Sequence, residues 1–446
     1  MELQTNSTNK KYIYCNQKVA LDVINKGYNV FLTGPAGSGK SYLIKKYYEH
    51  CLLENKKIAI TAMTGSAAYL INGKTLHSWA GIKLGEGTKE ELYELVLNKD
   101  IYYLNWVTTQ VLVIDEISML TKELFDKLDF IGKKVRNNEA PFGGIQLILS
   151  GDFCQLPPIT DKKNNFCFMS QEWNNIVNYN LFLDCIYRQE DESFQNMLNK
   201  IRIGLVDDNI ISLLEKCSKK LIDPDALIQP TKLFPYKKDV ENINKKHLLK
   251  LGNEVIRKKV EYIIEKIDSK WSSNETNYII NQMNKNSSYQ QLLELAIGAQ
   301  VMLIINLNPE KGLINGSRGI IVGFEEKTNY PVVQFLSGLQ KVIEPYEWEH
   351  IDKKGIIKVK QIPLLLSWAM SIHKAQGLSL DCVKIDIGKK IFEFGQTYVA
   401  LSRVRKLCLE PENGINEGLY IVSYSSDKIK CHPQVLNFYN QFNFLS

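Results

Sequence analysis

No run of this 446-residue chain is apolar for long enough to cross a bilayer, which takes about 20 consecutive apolar residues in a helix. The opening segment, MELQTNSTNKKYIYC, lacks the apolar core of a secretory signal. Nine cysteines are present (Cys15, Cys51, Cys154, Cys167, Cys185, Cys217, Cys382, Cys408 and Cys431), but no two form a C-x-x-C pair and no histidine stands at ligand spacing. That scatter argues against a structural zinc, an iron–sulfur cluster or a disulfide framework. Internal repeats and long low-complexity tails are also missing. A soluble intracellular protein with reduced thiols is expected.

What is present fits more than one core, since a chain of this length ordinarily divides into two or three domains. A net charge of +6 suits a polyanionic partner without specifying one. Val30–Thr33, Ile58–Thr61, Val111–Ile114 and Gln146–Leu149 read as buried parallel strands, each ending in a polar or glycine-rich turn. Lys232–Phe234, Val383–Ile387 and Gly418–Val422 form a second such set. Gln300–Ile305, Arg318–Phe324, Val332–Phe335 and Lys341–Pro345 are short, closely spaced and separated by turn residues, the pattern of a small barrel. The stretch 245–291 is charged, Asn-rich and weakly patterned.

Residues 34–41, GPAGSGKS, satisfy G-x-x-x-x-G-K-[ST] between an apolar strand and a helical pattern, the context this motif requires. Gly34, Pro35, Ala36, Gly37, Ser38 and Gly39 make a loop whose backbone N–H groups face phosphate oxygens, and the following helix adds its positive end. Lys40 is expected at the β- and γ-phosphates and Ser41 on magnesium. VLVIDEISML then sets Asp115 and Glu116 at the end of a buried strand. Asp115 is the natural magnesium partner through Ser41, and Glu116 can polarise a water. An acidic pair alone reads as a solvated turn. Behind a buried strand and downstream of such a loop, it points to hydrolysis of a nucleoside triphosphate.

The segment PFGGIQLILSGDFCQLPP (141–158), with FDKLDFIGKKVRNNEA before it, closely resembles the signature region of the Pif-one (petite integration frequency) helicases, in the 5′-to-3′ branch of superfamily one. The resemblance extends over nearly the whole chain. TAMTGSAAYLINGKTLHSWAGI (61–82) looks like motif Ia, GAQVMLIINL and LINGSRGIIVGF resemble the lead-in to the family's inserted domain, PLLLSWAMSIHKAQGLSLD (363–381) resembles motif V, and GQTYVALSRVR (395–405) resembles motif VI. It implies an α/β fold of two RecA-like P-loop domains with parallel sheets, a small wedge insertion in the first and an SH3-like β-barrel insertion in the second. The expected boundaries are 1–190 for the first domain (wedge around 65–82), 191–245 with 363–446 for the second, and 246–362 for the insertion.

The same resemblance assigns roles. Gln17 matches the residue that reads the adenine edge, and Tyr187 is placed to stack on the base. Gln155 matches the γ-phosphate sensor of motif III. Arg188 and Arg403 match two arginines that the family brings to the γ-phosphate from the far side of the cleft. Taken alone, each arginine reads as a surface charge or a helix-capping group. An arginine delivered to the transferring phosphate from a mobile part is worth about 10³–10⁵ in rate.

For the nucleic-acid strand, Thr64 and Gly65 offer a hydroxyl and a backbone N–H to a phosphate, with His77, Ser78 and Trp79 on the wedge. Trp79 reads equally as a stacking surface for a base or as a core residue. His373, Lys374, Gln376 and Gly377 resemble the motif V contact set, with Gly377 also counted on the nucleotide side, although a lone histidine is ordinarily structural. Arg318, Lys341, Tyr346 and Trp348 are further strand contacts offered by the barrel, where basic and aromatic residues are also commonplace. Cys154 and Ile159 depart from the family's aromatic and valine, and 245–291 scarcely resembles it. The chain begins almost at Gln17, so the long N-terminal region of some members is not expected.

An ATP- and magnesium-dependent 5′-to-3′ DNA helicase follows, monomeric, acting on single strands and single/double-strand junctions in nucleus, nucleoid, mitochondrion or a viral replication site. A RecD-like or relaxase-type translocase is the nearest competitor. A P-loop kinase or switch without DNA activity competes less well, as does a strand-binding protein using ATP only to change affinity. Both leave Glu116, Arg188 and Arg403 unexplained.

Overall fold

The computed structural model describes residues 4–5, 11–158, 165–266, 272–352, 355–410 and 415–442. Ile159, where the family has a valine, lies outside these residues. The chain forms two compact units: 1–206 with 393–402 and 429–446, and 207–392 with 403–428. The segments 393–402 and 429–446, expected in the second domain, make their contacts in the first.

The first unit is built on an eight-stranded sheet in the order Gln4–Thr5, Lys11–Cys15, Tyr179–Leu183, Val30–Thr33, Gln146–Ser150, Val111–Asp115, Ile58–Ala62 and Lys74–Thr75. Every neighbouring pair except the first is parallel. Alternate residues of the central strands enter two cores, as a sheet covered on both faces requires. Phe31, Leu112, Ile114, Leu147 and Leu149 pack with the helix Lys122–Arg136 and the C-terminal helix Pro433–Asn440. Val30, Leu32, Val111, Val113 and Ile148 pack on the other side, with Gln17–Asn25 and Lys40–Leu53. Complete burial explains why these strands read as continuous apolar runs.

The second unit holds a four-stranded parallel sheet in the order Ala369–Ser371, Thr231–Phe234, Cys382–Ile387 and Gly418–Tyr424. Antiparallel sheets are inserted within it. One has five strands, Gln340–Val342, Pro331–Phe335, Arg318–Phe324, Gln300–Leu303 and Leu364–Leu366. Another has three, Glu261–Lys266, Gly355–Gln361 and Tyr346–Asp352, and Ile256–Lys259 pairs with Leu292–Leu295. The stretch expected to be weakly patterned is therefore largely structured outside 267–271, with a helix at Ser273–Asn286 opened by a capping box between Ser272 and Glu275. Its pattern is faint because Glu261–Glu265 stays mostly exposed.

Candidate active site

The strand Val30–Thr33 is buried along its whole length and delivers the loop Gly34–Gly39 to the start of the helix Lys40–Leu53. Gly37 and Gly39 have φ of 87° and 84°, in the left-handed region that glycine occupies without strain. Both also lack room for a side chain. A Cβ on Gly37 would lie 2.5 Å from that of Arg188, and one on Gly39 would collide with the Gln17 amide. The loop is thus wrapped by three residues that sequence resemblance singled out. Gln17 Nε2 donates to Ser38 O at 3.4 Å, and Tyr187 N donates to Gly37 O at 2.9 Å. Arg188 belongs to the same unit as the P-loop, not to an opposing lobe, and its Nη1 donates to Ser402 O at 3.1 Å.

Lys40 Nζ donates to Gly34 O at 2.8 Å and to Pro35 O at 3.0 Å, so its ammonium sits inside the cradle. Burial holds it below the usual lysine range, opposed by Asp152, Glu116 and Asp115. Asp115 is buried at the end of Val111–Asp115, where Ser150 Oγ donates to its Oδ1 at 2.7 Å. Burial raises its carboxyl, while hydrogen bonds from Ser150 and Ser41 act the other way. Glu116 follows with φ of 54°, a left-handed geometry that costs a non-glycine residue about 1–3 kcal/mol. That strain turns the half-buried Glu116 out of line with the strand that carries Asp115.

These residues fit a magnesium–nucleotide pair. Among the described residues no three metal-ligating side chains cluster, and magnesium at such a site needs only one or two protein oxygens beside phosphate and water. Ser41 and Asp115, hydrogen-bonded to one another, are the side chains that would offer them.

Sequence reasoning missed a network behind the loop. Arg202 grips Asp152 of the GDF segment with Nε–Oδ2 and Nη2–Oδ1 both at 2.9 Å. Burial alone would raise the Asp152 carboxyl, but Arg202 outweighs it and holds the group below the usual carboxylate range. The Tyr439 hydroxyl accepts from Phe153 N at 3.0 Å and bonds Thr33 Oγ1 at 2.8 Å and Asp152 Oδ1 at 3.2 Å. The Tyr398 hydroxyl accepts from Ala36 N at 2.7 Å. Gln155 is buried at the end of the Asp152 turn, its N–H donating to Asp152 O at 3.0 Å. Tyr398 lies within the motif VI segment GQTYVALSRVR but carries no assigned role there, and no local spacing marks Tyr439; both come to the loop from several hundred residues downstream.

The strand-contact candidates divide. Thr64 Oγ1 caps the helix Gly65–Leu70 by accepting from Ala67 N at 3.2 Å. Ser78 is exposed and His77 half-buried, its imidazole held by burial below the usual histidine range. Trp79 is a core residue: only 5% exposed, it packs on Trp106 with ring centroids 4.8 Å apart, so its base-stacking role falls. In the second unit His373 and Lys374 lie on the short helix Ile372–Ala375, with Lys374 at the surface. Gln376 is buried and Gly377 turns the chain with φ of 81°. Arg403 is 1% exposed and its carbonyl accepts from Leu380 N at 2.8 Å. Arg318, expected as a strand contact on the barrel, is instead buried against Asp381 (Nε–Oδ1 2.8 Å) and donates to Gln229 O, so it ties the inserted sheet to the parallel one rather than meeting a ligand. Lys341 and Trp348 are half-buried and Tyr346 is exposed, the two rings 4.9 Å apart.

No helix among the described residues is long and apolar enough to cross a membrane.

Comparison with known proteins gives a consistent result. A family model described as PIF1-like helicase matches residues 8–210, and one described as DNA helicase Pif1, 2B domain, matches 279–324. The ATP-dependent DNA helicase PIF1 of Xenopus laevis is 39% identical over 95% of this chain and 64% of its own length, so the chain spans less than two thirds of that relative. A crystal structure of Pif1 helicase from Candida albicans is 34% identical with a TM-score of 0.77, covering 97% of this chain and 99% of that one. The crystal structure of Pif1 helicase from Bacteroides in complex with ADP-AlF3 and ssDNA is 28% identical with a TM-score of 0.62, covering 96% of each chain. This chain therefore belongs to the PIF1-like helicase family.

Proposed function

We propose that the chain is an ATP-driven motor that moves 5′-to-3′ along single-stranded DNA and separates duplexes at single/double-strand junctions, as a monomer. The observation that carries this reading is the convergence of Lys40, Asp115 and strained Glu116 on one P-loop already wrapped by Gln17, Tyr187 and Arg188. Lys40 exchanges the Gly34 and Pro35 carbonyls for phosphate oxygens when nucleotide enters. Gln17 and Tyr187 hold the base beside Gly39. Ser41 and Asp115 would hold magnesium, which would supply charge neutralisation at the phosphates. Glu116 polarises the attacking water, and Gln155, one turn from the Asp152–Arg202 pair, senses the γ-phosphate. Arg188 contributes from the loop's own side. The role of Arg403 is assigned by the family resemblance alone.

The strand partner rests on family membership and on the helicase from Bacteroides crystallised with ssDNA. Thr64, Gly65, His77 and Ser78 in the first unit, and His373, Lys374 and Gln376 in the second, are the assigned track, with Gly377 counted both with the track and with the nucleotide set. We read residues around 65–82 as the wedge and the five-stranded inserted sheet as an SH3-like barrel. Duplexes bearing a single-stranded tail at only one end type test the polarity: unwinding from a 5′ tail is expected, and unwinding from a 3′ tail alone refutes it.

A further inference from the structure

Two half-exposed aromatic rings stand beyond the carboxyl ends of the two central strands of the second unit's parallel sheet. Tyr236 follows the strand Thr231–Phe234, and Phe392 closes the loop that leaves its neighbour Cys382–Ile387. Their ring centroids are 5.1 Å apart with planes at 18°, a stacked pair. Yet Tyr236 is 50% exposed and Phe392 48%. The stack accounts for the mutual orientation of the rings and leaves their exposure unexplained.

Their position is informative. The two strands are adjacent and parallel, with Lys232 opposite Lys384, so both rings leave the sheet at its carboxyl ends, where open parallel sheets bind ligands. On the other flank Ser371 pairs with Phe234 and leads directly into the helix bearing His373 and Lys374. Cations surround the rings. Lys237, Lys238, Lys389 and Lys390 are all exposed, and Lys390 lies 5.5 Å from the Phe234 ring centroid while pairing with Asp239 at 3.2 Å. Lys374 stands near Lys237: burial of its amine end, and then that neighbour, hold its ammonium below the usual lysine range.

Exposed ring faces set among flexible cations match the two features every nucleotide of a single strand shares, a base face and a phosphate. We propose that Tyr236 and Phe392 form a stacking platform for a base of single-stranded DNA, with Lys237, Lys238, Lys389 and Lys390 on the flanking phosphates. The platform rests on the DNA-motor reading and adds to it a grip on base faces that the track residues lack. It is tolerant of sequence, because every base presents a π face. Trp79, which the sequence offered equally as a stacking surface or a core residue, is buried in the other unit.

The test is a binding titration of fluorescent oligothymidylate by anisotropy, with one abasic position walked along the strand. The parental protein should bind about 5- to 100-fold more weakly when the abasic site occupies one particular register. In Tyr236→Ala/Phe392→Ala the intact strand should lose affinity by a similar factor and the register-specific penalty should vanish. The salt dependence should persist, since the lysines still meet phosphate. Tyr236→Trp, which keeps a ring face, should preserve the penalty. A parental protein with no register-specific penalty overturns the platform without any substitution, as does a double variant that keeps it. A parental protein that binds no strand at all overturns the DNA-motor reading, and the platform with it.

Discussion

In the first unit the nucleotide groups sit at the carboxyl ends of fully buried strands, Val30–Thr33 and Val111–Asp115, and are fixed largely by backbone geometry. In the second unit Lys374 stands on a four-residue helix, and Tyr236 and Phe392, each about half exposed, stand in loops. The difference is one of how much the chain must specify. A phosphate cradle needs backbone N–H groups aimed at one point, so glycines and a following lysine must occur at set spacing. A surface for a moving strand needs only cations and ring faces that many arrangements provide. The first kind of site is tight and intolerant; the second is distributed.

That contrast predicts a graded series of effects. Glu116→Gln should lower phosphate release by about 10²–10⁴ while nucleotide stays bound and strand affinity rises; release at the parental rate would remove the general-base assignment. Lys40→Ala should cost about 10²–10³ in hydrolysis and leave strand binding largely intact. A parallel loss of strand binding in Lys40→Ala would mean that the two sites are not separable in this way.

Stability comes next in size. Arg202→Met leaves Asp152 buried without its partner and should destabilise the first unit by about 3–5 kcal/mol in denaturant titration. The Asp152 carboxyl is depressed in the folded protein, so its contribution is complete above the unfolded value near pH 4 and is lost as pH falls below it. Parental and Arg202→Met proteins should therefore converge in melting temperature on acidification, and a difference that grows below pH 4 would contradict the pairing. Trp79→Ala should likewise cost about 3–5 kcal/mol, with no register-specific effect on strand binding. The smallest effect belongs to the distributed site. Lys374→Ala should flatten the dependence of log affinity on log salt by about 0.7, one phosphate contact, and an unchanged slope would take Lys374 off the track.

How far the sequence was readable follows the same division. The P-loop, Asp115, Glu116 and the central strands were legible to within a residue or so, because burial on both faces writes an unbroken apolar run. Tyr179–Leu183, equally buried, escaped notice because Asn180 interrupts its apolar run. Arg188 was recognised by its neighbours but was expected from the far side of the cleft. Only the packing of Arg188 against Gly37 shows which side it occupies. Tyr398 lies within a recognised motif that does not mark its contact, and Tyr439 had no signal, since a hydroxyl reaching a loop from several hundred residues away leaves no period or spacing. Trp79 and Arg318 were misleading for one reason. Tryptophan and arginine serve cores and ligands alike, and composition does not separate the two until burial does.

The central claim is that ATP cleavage at the loop carrying Lys40 is driven by a nucleic-acid strand. Steady-state phosphate release, measured with and without saturating single-stranded DNA, tests it most directly. A many-fold acceleration by the strand, abolished in Glu116→Gln, is the predicted result. The same rate in both conditions would contradict it.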